Sequence, residues 1–156
     1  MKKIVYFDMD GVLVDFKSAI DKLKIRDELI VQKYGDDVDN IPGIFSMMEP
    51  IVEMVDLFNR MVCDDKFDCY VLSTPPWGNP SAWTDKLIWI KKYLPLAHKR
   101  LILSHNKNLC AGDYLIDDRT ANGVGQFKGK LIQYGASDFQ NASHVEDYIY
   151  SNEEAY

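Results

Sequence analysis

Cysteine is scarce and poorly placed for structural use. Cys63, Cys69 and Cys110 make an odd number, with no pair at metal-ligand spacing. That gives neither a disulfide framework nor a zinc site, and the three read as reduced thiols of a cytoplasmic protein. His98, His105 and His144 are dispersed and form no ligand cluster. Long apolar runs are missing too. Met1-Lys2-Lys3 ahead of residues 4–7 starts like a signal peptide, but Asp8 and Asp10 interrupt the run, and no other stretch could span a bilayer. Positive charge is in the minority: 18 Lys and Arg stand against 24 Asp and Glu, for a formal net charge of −6. This speaks against a nucleic-acid polymer or an anionic membrane as partner, and an anionic substrate would need a local positive centre. There is no internal repeat or low-complexity tract, and 156 residues suffice for one domain with a core but not for two ordinary ones.

What the chain does have is alternation. Apolar runs of strand length occur at residues 3–7, 67–72, 100–103, 114–116 and 130–134, several rich in Val, Ile or Tyr, and read as buried parallel strands. Ile51, Met54, Val55, Phe58 and Val62 repeat at helical spacing after Pro50, which suits a first turn. Trp83, Leu87, Ile90 and Leu94 do the same from about Ser81 until Pro95 stops them. Strands alternating with helices predict a doubly wound α/β sheet. Residues 16–48 break the alternation and read as an insertion. Within it Ile20, Leu23, Ile30 and Tyr34 predict one amphipathic helix ended by Gly35, and Asp36, Asp37, Asp39, Pro42 and Gly43 predict a turn or loop. The polar end, residues 151–156, is expected to fray.

The first strand runs directly into Asp8-Met9-Asp10-Gly11, and side chains two apart on a strand share a face, so both carboxylates can converge on one small volume. Alone, two close aspartates more often decorate a solvated turn. Tyr114-Leu115-Ile116-Asp117-Asp118 supplies the support, a second apolar strand ending in paired carboxylates. In open α/β sheets ligands bind outside the carboxyl ends of the strands, so the acidic ends would face one crevice, where a hard divalent cation such as Mg²⁺ is the expected occupant. Ser73 and Thr74 end a third strand and bring hydroxyls to the same edge, though by themselves they would merely begin a turn before Pro75. Lys107 could place an ammonium against a phosphoryl group, though an isolated lysine in an Asn-rich loop is normally solvated. The four parts gain specificity by falling in order on successive strand ends.

With Asp8-Met9-Asp10-Gly11, Ser73-Thr74, Lys107 and Asp117-Asp118 in that order, the chain resembles the haloacid dehalogenase (HAD) superfamily phosphatases. More narrowly, the run from Asp8 through Val12-Leu13-Val14-Asp15-Phe16, Ser73-Thr74-Pro75 and Asp113 to Arg119 is similar to the 5′(3′)-deoxyribonucleotidases, and Asp85-Lys86 with Trp89 and Lys92-Tyr93-Leu94 adds a match between them. The resemblance implies a three-layer, Rossmann-like HAD fold with a central, mostly parallel five-stranded sheet and a small helical cap inserted after the first strand. The core would be residues 1–15 and 49–156, and the cap residues 16–48. It implies Asp8 as nucleophile, forming an aspartyl-phosphate, and Asp10 as general acid and then base. Mg²⁺ would be held by Asp8, the Asp10 backbone carbonyl and the Asp117-Asp118 pair, with Asp118 favoured as direct ligand and Asp117 as its neighbour. Ser73, Thr74 and Lys107 would hold the phosphoryl oxygens, and Arg119 would form an ion pair that orients the acidic pair.

For substrate the resemblance implies a small-molecule phosphomonoester, a (deoxy)ribonucleoside 5′- or 3′-monophosphate. Phe16 matches the family aromatic that packs on the base, and Phe45 falls where the inserted chain returns toward the site. The insertion is shorter than the family's cap, and Trp77 stands where a lysine is expected, either stacking on a base or covering the sheet edge. A shorter cap fits a pocket completed by a second copy in a homodimer, or a different substrate. Two other readings are a phosphatase for a sugar phosphate or other small phosphoester, and a non-catalytic nucleotide- or Mg²⁺-binding module.

Overall fold

The computed structural model describes residues 1–154. Its frame is a five-stranded, wholly parallel sheet of β1 (Lys3–Phe7), β4 (Phe67–Ser73), β5 (Leu101–Leu103), β6 (Tyr114–Asp117) and β7 (Lys130–Gln133), in the order β5-β4-β1-β6-β7. These are the expected strands to within one or two residues. A short antiparallel ladder, β2 (Val14–Asp15) with β3 (Glu49–Pro50), joins the two ends of the inserted segment. The helices are α1 (Phe16–Arg26), α2 (Glu28–Tyr34), α3 (Val52–Val62), α4 (Pro80–Tyr93) and α5 (Ala142–Glu154). No helix among the described residues is long and apolar enough to cross a membrane.

The pleat sends Val5, Phe7, Val71 and Ile116 into one cluster with Phe58 and Met61 of α3 and Val145 and Ile149 of α5. Phe7 and Phe58 meet edge to face, their centroids 5.1 Å apart. The opposite face, with Tyr6, Leu72 and Leu115, is covered by Val124 and Phe127 in and beside a 3₁₀ turn. Since the chain leaves β1 for β4 and β5 on one side and returns to β6 and β7 on the other, the order reverses beside β1. That switch point puts a crevice at the carboxyl ends of β1, β4 and β6.

Three expectations need correction. The inserted helix is two helices, because Asp27 (φ −156°, ψ 83°) breaks it: its carboxylate accepts from the Ile30 N–H to start α2 while its own N–H donates to the Leu23 carbonyl to end α1. Gly35 does end α2, at φ 54°. Residues 151–154 do not fray but complete α5, tied down by Tyr114 Oη donating to Glu153 Oε1 at 2.6 Å; residues 155 and 156 lie outside the described residues. In α4 the period is right but the face is rotated. Trp83 and Leu87 are exposed, while Ala82, Lys86, Trp89 and Ile90 are buried. An apolar count could not anticipate that the inward face carries a lysine.

Candidate active site

Asp8 is the first residue beyond β1. Its N–H donates to the Ile116 carbonyl at 2.9 Å, which continues the ladder one step and fixes the carboxylate at the crevice floor, 4 % exposed. Lys107 enters from a 3₁₀ turn (Lys107–Leu109) whose first N–H donates to the Asn122 carbonyl. Its ammonium is buried and donates to Asp8 Oδ1 at 2.9 Å and Asp117 Oδ2 at 2.5 Å. The other Asp117 oxygen accepts from the Arg119 N–H, so both oxygens of that carboxylate are engaged by protein. Asp118 differs: its Oδ1 is buried without a partner.

Asp118 also explains Gly11. A Cβ on Gly11 would lie 2.2 Å from Asp118 Oδ2, and the φ of 79° is one that side chains disfavour. The tight turn there lets Asp118 close against the β1 exit, with the N–H groups of Val12, Leu13 and Val14 all donating to the Met9 carbonyl.

Asp10 sits on the same turn, its Oδ2 accepting from Lys86 Nζ at 2.9 Å while Oδ1 is buried and unpartnered. Lys86, fully buried, also donates to Ser73 Oγ at 2.9 Å and lies 4.4 Å from the centroid of Phe45. Ser73 is itself fully buried, whereas Thr74 lines the cleft and donates to the Ser104 carbonyl at 2.7 Å. The cleft measures about 650 Å³, with Asp10, Thr74 and Asp118 at its floor and Phe16, Val38 and Phe45 from the inserted segment above. Phe16 and Phe45 stand edge to face, 5.8 Å between centroids. A depression of about 750 Å³ elsewhere, lined by Leu87, Ile90, Leu94 and Leu101 among others, has no carboxylate or hydroxyl in its lining.

Charge at the floor is unbalanced. Four carboxylates, of Asp8, Asp10, Asp117 and Asp118, face two ammoniums, of Lys86 and Lys107. Burial pushes the Asp8 carboxyl up to about 7 against the pull of Lys107, with the Asp117 and Asp10 charges adding to the rise. Burial raises Asp118 likewise, helped by the Asp117 charge. Burial would lower Lys107, but the Asp8 and Asp117 charges outweigh it and hold the ammonium above its ordinary value. With all four carboxyls ionised the excess is two negative charges, which a divalent cation would neutralise, and burial resists that ionisation until a cation is present. Oxygens of Asp8, Asp117 and Asp118 lie within 4.8 Å of one another, an all-oxygen set with one orphaned buried atom, so the residues present fit Mg²⁺.

The structure thus brings together Asp8, Asp10, Thr74, Lys107, Asp117, Asp118, Phe16 and Phe45, with Ser73 one layer beneath. Two expectations about the site change. The Arg119 side chain is exposed and forms no ion pair with the acidic pair; its backbone N–H does the orienting instead. Trp77 does not cover the sheet edge but stands 83 % exposed at the cleft mouth, edge to face with His105 at 5.5 Å. Lys86 is the residue that sequence reasoning left out of the site. Ala82, Trp89 and Ile90 place it on the buried face of the helix, a face that the apolar spacing of Trp83 and Leu87 did not identify.

A parallel α/β sheet with a buried carboxylate–lysine cluster at its switch point suits phosphoryl chemistry, and comparison with known proteins gives the class, a hydrolase of the phosphatase type. Residues 32–153 match the family "5′ nucleotidase, deoxy (Pyrimidine), cytosolic type C protein". A putative 5′(3′)-deoxyribonucleotidase of Vibrio phage KVP40 is 48% identical over 151 residues, covering 96% of this chain and 86% of the phage protein. The 5′(3′)-deoxyribonucleotidase of Bacillus subtilis strain 168 is 28% identical, with 90% of each chain covered. In fold, the chain is similar to a hydrolase from Streptococcus pneumoniae TIGR4, with a TM-score of 0.53 at 9% identity, covering 96% of this chain and 99% of that one. The chain belongs to the 5′(3′)-deoxyribonucleotidase family.

Proposed function

We propose that the protein is a Mg²⁺-dependent phosphomonoesterase that releases phosphate from deoxynucleoside 5′- or 3′-monophosphates through an aspartyl-phosphate. The observation that carries this reading is the Asp8 carboxylate, buried at the crevice floor, held by Lys107 and within reach of Asp117 and Asp118. Asp8 attacks phosphorus, and its bond to phosphorus replaces the bond to the ester oxygen. Asp10 gives that oxygen its proton, so the nucleoside leaves as a neutral alcohol. The same carboxylate, now a base, takes a proton from the water that hydrolyses the aspartyl-phosphate, which regenerates Asp8 and releases inorganic phosphate. Lys107 holds phosphoryl oxygens, the Thr74 hydroxyl joins it by turning from the Ser104 carbonyl to the substrate, and Ser73 supports that strand end from beneath. Asp8, the Asp10 carbonyl and Asp118 would hold Mg²⁺, with Asp117 kept for Lys107. When bound, the ion supplies charge neutralisation for the phosphoryl oxygens.

Residues 16–48 serve as the cap over a core of residues 1–15 and 49–156, the β2–β3 ladder being its base, and Phe16 with Phe45 offers the nucleobase an aromatic wall. The test is phosphate release, in Mg²⁺, from a panel of deoxy- and ribonucleoside 5′- and 3′-monophosphates and several sugar phosphates. Deoxynucleotides are expected to be preferred. Hydrolysis of sugar phosphates alone would keep the chemistry and reject the substrate, and release from nothing on the panel would reject both.

A further inference from the structure

Lys86 is the charged residue whose burial is hardest to explain by stability. Withdrawing an ammonium from water costs several kcal/mol, and well-packed apolar side chains often serve stability as well or better. Its neighbours one turn away, Ala82, Trp89 and Ile90, are themselves buried, so an apolar residue would continue their face. Each contact of the Lys86 ammonium instead goes to a residue of the cleft or its support: Asp10 Oδ2, Ser73 Oγ and the Phe45 ring.

We infer that Lys86 is a positioning residue for proton transfer: by holding Asp10 Oδ2 it leaves Oδ1 as the oxygen that carries the proton, and through Phe45 it ties that orientation to the inserted segment. This rests on the phosphatase reading above. Three observations converge on it. Asp10 lies within a tight turn and has only one side-chain hydrogen bond, so its rotamer is set largely by Lys86. Its other oxygen is buried and has no partner, which a purely structural ion pair would not require. The same ammonium lies over the ring of Phe45, which lines the cleft beside Phe16, so the group that would meet the base and the group that would protonate the leaving oxygen share one support. A carboxylate free to rotate would spend part of its time with the proton misdirected, and misplacement on this scale costs about 10²-fold in rate.

The test separates leaving-group protonation from phosphate binding. A nucleoside alcohol is a poor leaving group and needs the proton, whereas p-nitrophenolate leaves without it, and kcat/KM reports only the steps up to formation of the aspartyl-phosphate. Lys86→Met is expected to lower kcat/KM for a deoxynucleoside monophosphate about 10²-fold and for p-nitrophenyl phosphate less than about threefold. Asp10→Asn should show the same selectivity, and Lys86→Arg should recover part of the nucleotide activity. Asp10 keeps 19% side-chain exposure, so water can replace the lost bond and Lys86→Met is expected to fold. Should it not, Lys86→Gln is compared on the same two esters. Equal losses on both esters would assign Lys86 to phosphate binding through Ser73 and overturn the inference alone, as would no loss on either. A wild-type protein inactive on both esters would overturn the phosphatase reading first.

Discussion

The floor of the cleft and its roof are built on opposite principles. At the floor, Asp8, Lys86, Lys107, Ser73 and Asp117 are all buried, and each is fixed by a hydrogen bond to another member of the set. In the roof, α2 has no buried residue and Ile25 and Leu29 lie 87% and 75% exposed, while Ala19, Ile41, Ile44, Phe45 and Met48 are buried in the main apolar cluster. Polar contacts add to that packing, among them Lys22 to Glu49, Trp89 Nε1 to the Met48 carbonyl, Asn79 Nδ2 to the carbonyls of Asp39 and Ile41, and the Gly43 N–H to Ser81 Oγ. A floor of interlocked charges tolerates no change without a large loss, whereas the exposed and cleft-lining residues of the roof can change with small ones. Chemistry and substrate choice are therefore separable at Phe16, whereas Phe45 shares Lys86 with Asp10.

Substitutions test that separation. Asp8→Asn should cut turnover by at least about 10³-fold with the fold intact, since the nucleophile has no neighbour to replace it; phosphate release and circular dichroism check the two halves. Lys107→Met leaves Asp8 and Asp117 buried without their cation and should cost about 3–5 kcal/mol in stability, read from urea unfolding without Mg²⁺. A loss near zero would mean that the floor is not the interlocked unit described. Gly11→Ala pushes Asp118 aside and strains the turn, so the Mg²⁺ concentration for half-maximal activity should rise about 10–100-fold, with chelation by EDTA abolishing activity in the parent. On the roof, Phe16→Ala should raise KM for a deoxynucleotide about tenfold and leave kcat within about twofold. A fall in kcat with unchanged KM would join the roof to the chemistry and break the comparison.

The same contrast governs what could be read from the chain. The floor was legible because its parts are local: Asp8, Asp10, Asp117 and Asp118 follow apolar strands directly, and a parallel sheet brings such ends to one edge whatever the loops do. What separates Asp117, engaged at both oxygens, from Asp118, with Oδ1 unpartnered, was not legible, because the two are adjacent and chemically identical. Lys86 was not legible as a site residue, because a lysine within a helix ordinarily points to water and only its fit to Asp10, 76 residues earlier, makes burial tolerable. The break at Asp27 escaped for a different reason. Apolar spacing carries across it, and the cap bonds that stop one helix and start the next outweigh the stripe. Trp83 and Leu87 fit the helical period and still lie outward, because periodicity gives a face but not what that face meets.

Asp8 is the residue expected to carry the phosphoryl group, and rapid acid quenching tests this most directly. Wild-type protein turning over a deoxynucleoside monophosphate in Mg²⁺ is denatured during steady state, digested and examined by mass spectrometry. The phosphoryl group should be found on the peptide bearing Asp8 and be absent from Asp8→Asn. Its appearance on a different residue, or undiminished turnover by Asp8→Asn, would contradict the central claim.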